Sequence, residues 1–84
     1  MAHKVADMIE VDGTVTRLPR TVAEMGLAEI QAIVGGYVEH ADGMGRTELW
    51  CNENGAAKGL PYNPLASIAT GHYVVGNVVV EHWE

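Results

Sequence analysis

The chain is predicted to fold as a small α+β domain, with one main helix packed on a mostly antiparallel sheet of four to six strands. Three observations predict this. Asp12-Gly13 separates two strand-like runs and reads as a hairpin turn. Leu27, Ile30, Ile33 and Val34 recur at helical spacing and end on Gly35-Gly36. The apolar run from Tyr73 to Val80 has the composition of a strand covered on both faces. With 84 residues, residues 1–84 form a single domain, too small to divide.

The elements follow in order. Val5 to Val11 reads as a strand and Thr14 to Leu18 as its return. A two-residue turn at Asp12-Gly13 would pair Val11 with Thr14, Ile9 with Thr16 and Asp7 with Leu18. That register puts Val5, Ile9, Val11 and Leu18 on one face, with Glu10 and Arg17 diagonal on the other. Pro19 ends the second strand. Thr21 and Glu24 have the spacing of a capping box, but Gly26 interrupts, so the helix is placed at Leu27 to Val34. Gly35 and Gly36 stop it, since glycine enters the left-handed region without a Cβ penalty. Tyr37 to His40 reads as a short strand, residues 41–45 as a loop and Thr47 to Asn52 as another strand. Asn54-Gly55 is a turn signal, with Gly55 a structural turn residue like Gly13. Ala56 to Leu60 pairs briefly before Pro61. Asn63-Pro64 opens a short helix or turn, proline suiting the first helical position. Tyr73 to Trp83 is β structure, in which Gly76-Asn77 is either a hairpin turn or a bulge.

Eleven Asp and Glu against five Lys and Arg leave a formal charge of −6. Of the cations, only Arg17 and Arg20 lie close in sequence, so no basic patch for nucleic acid is expected. The scattered carboxylates do not form the runs of a DNA mimic. The longest apolar stretch is too short to span a bilayer, and the first ten residues have no apolar signal core. A cytoplasmic protein with a reduced thiol at Cys51 is expected.

Leu27 to Glu39 resembles an LxxLQxxVGGYIE stretch. It is followed by Asn52-Glu53-Asn54-Gly55, by Gly59-Leu60-Pro61-Tyr62-Asn63 and by Gly76-Asn77-Val78-Val79-Val80. The VGGY and NExGxxxGLPxN pieces, in this order, resemble a family of small domains of unknown function common in tailed bacteriophages and prophages. The resemblance covers about residues 27–80. Ile30 stands where the family often has leucine, and the segment from Thr70 to Tyr73 is shorter than usual. The resemblance implies expression inside a bacterial host cell and an accessory role, and brings no catalytic residue.

The residues themselves offer no catalytic constellation. His3, His40, His72, His82 and Cys51 lack close ligand spacing, so no metal and no cofactor are expected. Cys51, on a strand beside Trp50 and Leu49, reads as an inert buried thiol. Nothing in the spacing of Glu39, Glu48 and Glu53 orders them as an acid–base pair. Gly35-Gly36 follows a helix, whereas a phosphate loop precedes one, so a P-loop is excluded. The Asn52–Asn63 segment concentrates polar groups at turns: Asn52, Glu53, Asn54, Tyr62 and Asn63. These either fix loop shape or form a binding surface, with amide and carboxylate giving direction and Tyr62 giving area. Trp50 and Trp83 read as core or interface anchors.

The expected function is non-enzymatic: an accessory protein that contacts a host protein. The alternative is a homo-oligomeric module for a small ligand such as a nucleotide signal. A two-fold homodimer is expected from the small core and the apolar final segment.

Overall fold

The computed structural model describes residues 2–84. It contains β1 (Lys4–Ile9), β2 (Val15–Arg17), α1 (Leu27–Val34), β3 (Val38–Asp42), β4 (Glu48–Asn52), α2 (Pro64–Thr70) and β5 (Val78–Trp83). The five strands form one antiparallel sheet in the order β2-β1-β5-β4-β3. The fold is α+β as predicted, and the helix Leu27–Val34 has the predicted bounds.

β5 lies between β1 and β4, which explains its composition. Val78, Val79 and Val80 are all buried because a central strand has neighbours at both edges and a layer on each face. Residues paired across strands share a face, so the register sorts every side chain. Ala6, Val79, Trp50 and Val38 point to one face, where Ile30 and Val34 of α1 close a core with Met25, Leu18 and Val22. Ile9, Val78, Val80 and Leu49 point to the other, against Ala66 of α2 and Val74. The sheet is therefore a middle layer with one helix on each side, where the sequence had suggested one main helix.

The β1–β2 hairpin corrects the expected register. Ile9 pairs with Val15, Met8 with Thr16 and Asp7 with Arg17, one residue away from the prediction. The loop has three residues, not two. Glu10 N–H donates to the Thr14 carbonyl and Gly13 N–H to the Glu10 carbonyl, while only Gly13 takes a positive φ, +91°. A type I′ turn would need positive φ at Asp12 as well. Instead Asp12 Oδ1 accepts from Thr14 N–H and the loop closes as a turn plus a left-handed glycine. Because strand side chains alternate, the shift moves Leu18 to the α1 face, and it pairs Arg17 with Asp7 rather than Glu10.

Other expectations are also corrected. Glu24 Oε1 accepts from Thr21 N–H and from its hydroxyl, but this closes a separate turn, and Gly26 begins α1 with no side-chain cap. Ala41 and Asp42, expected in a loop, extend β3 because both pair with β4. Residues 53–59 form consecutive turns and do not pair, their backbone bonds closing locally from Lys58 N–H to the Asn54 carbonyl and from Leu60 N–H to the Gly55 carbonyl. Gly76-Asn77 is neither a hairpin turn nor a bulge within a ladder. It is a bend between an isolated bridge (Tyr62 with Val75) and β5, held by Gly76 N–H on the Pro61 carbonyl.

Candidate functional site

The five residues singled out in the 52–63 segment separate into two structural anchors and three surface groups. Asn63 is completely buried. Its Oδ1 accepts from Ala66 N–H and so caps α2, while its Nδ2 donates to the carbonyls of Ile9 and Gly76. One side chain thus joins α2, β1 and the bend before β5. Asn52 is buried too. Its Nδ2 donates to the Val34 carbonyl at the end of α1, and its Oδ1 accepts from Asn54 N–H. The hydrogen bonds of these two amides all go to the backbone of the fold. Glu53, Asn54 and Tyr62 remain exposed.

Tyr62 stacks on Tyr73 with ring centroids 5.1 Å apart, and both rings reach solvent. The pair borders α2, whose burial pattern is inverted for a small domain. Its inward residues are Ala66, Ser67 and Thr70, while Leu65 and Ile68 point outward, Ile68 at 73% exposure. Small inward residues let the helix sit close to the sheet. The Ser67 and Thr70 hydroxyls are satisfied by the helix's own carbonyls, at Asn63 and Ala66. The large apolar side chains are left on the outside.

Two grooves open on this face, one of them flanked by α2. One, of about 280 Å³, is lined by Leu65, Ala69, Val15, Ile9, Asp7 and His82. The other, of about 140 Å³, has Leu49, Cys51 and Val74 as its floor and Tyr73, Glu39 and Glu53 along its walls. In the first, Asp7 is held by Arg17 at 2.7 Å and faces His82 Nε2 at 2.6 Å. Burial works against its charge, but the bonds from Arg17 and His82 outweigh burial and carry the carboxyl below its ordinary 3.8. In the second, burial pushes the Cys51 thiol above its ordinary 9.0 and the Glu39 charge pushes it further, so the thiolate is suppressed.

The α1 side carries a wider cleft of about 590 Å³, lined by Gln31, Tyr37, Asn54 and Lys58 among others. Here the VGGY and NExG pieces meet. A Cβ on Gly36 would stand 3.0 Å from both Asn52 Nδ2 and Lys58 Nζ, so a larger residue there would crowd the buried Asn52 amide. Gly55 is likewise a close-packing position, against Val75.

One cluster lies outside the expected sites. His40 and Asp42 share a face of β3, and Glu48 stands opposite Asp42 on β4, with their ligand atoms within 4.8 Å of one another. An H-x-D pair on a strand, two residues apart, was the available signal. Among the described residues, these three could hold a metal ion. Glu48 already faces His40 Nε2 at 3.2 Å and Lys4 Nζ at 3.5 Å.

Among the described residues, no helix is long and apolar enough to cross a membrane. The sequence model of a family described as a domain of unknown function (DUF3846) matches residues 7–83, nearly the whole chain. No curated protein and no solved structure matches the chain.

Proposed function

The chain belongs to the DUF3846 family of domains of unknown function, and on that premise we propose that it acts by binding a partner protein through the α2 face and not by catalysis. One observation carries the reading: α2 turns Leu65 and Ile68 outward while burying small residues, beside the stacked Tyr62 and Tyr73. Exposed large apolar side chains gathered on one element mark interaction sites more often than scattered ones do. Tyrosine pairs add contact area at low entropic cost. The suppressed Cys51 thiolate and the fold-bound amides of Asn52 and Asn63 agree with a recognition role. The partner fits the setting implied by the sequence resemblance: a phage-type accessory protein in the bacterial cytoplasm, contacting a host protein.

The test is capture from host lysate by the folded chain and by Ile68→Asp. A stoichiometric partner should be retained by the first and lost by the second. A partner retained equally by both would move the interface elsewhere.

A second reading has its own observation. The 590 Å³ cleft places Lys58, which has no carboxylate partner among the described residues, beside Gln31, Tyr37 and Asn54. This suits a small anionic ligand such as a nucleotide. A thermal shift produced by nucleotides and abolished by Lys58→Ala, with the α2 variants unaffected, would favour it.

A further inference from the structure

The two faces of the sheet differ in charge as well as in shape. Lys4 reaches Glu48 and Glu81, all three on the α1 face. Arg20 pairs with Glu29 of α1, Arg46 stands 5.0 Å from the centre of the Trp83 ring on the same face, and Lys58 lines the cleft beside α1. Among the described residues, Arg17 is the one Lys or Arg on the α2 face, and it is held by both Asp7 and Glu84. Glu39, on this face of the sheet, and Glu53 line the second groove beside Tyr73, and neither has a cationic partner among the described residues. An approaching chain therefore meets exposed Leu65 and Ile68, an apolar groove beside Leu65 and a second groove that carries two unpaired carboxylates, Glu39 and Glu53, while Asp7 and Glu84 share the Arg17 guanidinium.

We infer that the α2 face takes a cationic amphipathic segment of its partner, with an apolar stripe on Leu65 and Ile68 and lysine or arginine placed toward Glu39–Glu53 and Asp7–Glu84. This rests on the reading of α2 as the docking surface. Apolar contact supplies the affinity, and the carboxylates steer approach and set register. A second copy of this chain is the wrong occupant: it would bring Glu39, Glu53 and Glu84 against another such set, in a molecule already at −6.

The test uses a fluorescent synthetic peptide with leucine and lysine at helical spacing, and its twin with glutamate in place of lysine. Anisotropy at low and raised salt is measured against the intact chain and against variants. The lysine peptide should bind and the glutamate twin should not. Glu39→Gln with Glu53→Gln should weaken binding about three- to tenfold at low salt, as expected for two rim charges, and flatten its salt dependence. Ile68→Asp should abolish binding, and Leu27→Asp, on the exposed side of α1, should leave it unchanged. If both peptides bind alike and Ile68→Asp abolishes both, the charge inference is overturned and the docking surface stands. If the lysine peptide binds with no loss in Ile68→Asp, its attraction to an acidic chain is diffuse and both readings fail. If neither peptide binds, the inference is overturned. Light scattering that then shows a dimer dissolved by Ile68→Asp would make a second copy the occupant.

Discussion

Asn63 shows how much of the fold one side chain can hold. Its amide caps α2 and satisfies two carbonyls from separate segments, Ile9 and Gly76, with no access to water. Asn63→Ala removes the cap, worth about 1 kcal/mol, and removes two further buried hydrogen bonds, to the Ile9 and Gly76 carbonyls, at roughly 1 kcal/mol each. A loss of about 3 kcal/mol or more is expected by urea unfolding, a large share of the total for a domain of this size. Asn63→Asp separates the two roles. The carboxylate still caps, but it turns an oxygen toward two carbonyl oxygens, so it should be no more stable than the alanine variant at neutral pH and should recover on acidification. An aspartate as stable as asparagine would mean that the cap alone matters.

At the level of elements, the hairpin loop illustrates what local chemistry decides. Gly13→Ala meets no neighbour within 4 Å, so its cost is the left-handed backbone alone, about 1–2 kcal/mol. Gly13→Asn should recover part of that loss, since asparagine tolerates this region, and thermal unfolding of the two variants checks the order. The same loop shows why some features were legible in the sequence and others were not. The α1 bounds, the Asn63-Pro64 start of α2 and the buried Val78–Val80 run are each marked by residues within a few positions. The register was missed because Asp12-Gly13 fits a two- or a three-residue loop, and the choice between them turns every β2 side chain to the other face. The role of α2 was missed because a periodic pattern marks two sides of a helix without saying which is covered. In PLASIAT the covered side is the one with Ala66, Ser67 and Thr70. In the same way, the sequence leaves Asn52 and Asn63 open between loop-shaping and binding roles, because nothing local shows that carbonyls from α1, β1 and the bend before β5 converge on them.

Taken as one molecule, the chain is fastened at one end of the sheet by a cluster drawn from three strands and the last residue. Asp7 of β1, Arg17 of β2, His82 of β5 and Glu84 meet there, while His3 and Glu84 exchange backbone hydrogen bonds. The folded Asp7 carboxyl titrates below its ordinary value. Its contribution is therefore complete above about pH 4, the unfolded value, and is lost as pH falls through the lower folded one. Asp7→Asn should cost about 1–2 kcal/mol at pH 7, a hydrogen bond to a charged group discounted for the exposure of Arg17. The deficit should shrink below pH 4, so that wild type and variant converge in acid. Unfolding followed between pH 2 and 7 checks this, and parallel curves would remove Asp7 as the cause.

The position of β5 has a consequence for how the molecule comes into being. On the ribosome β1 and β2 emerge first, then β3 and β4, each as a pair able to close on itself. The strand that joins the two pairs emerges after both. Until it arrives, no strand bridges β1–β2 to β3–β4. The domain therefore locks only when a keystone made of its final residues slides in, and a separately synthesised β5 peptide is the natural piece with which to complement a chain cut at Gly76-Asn77.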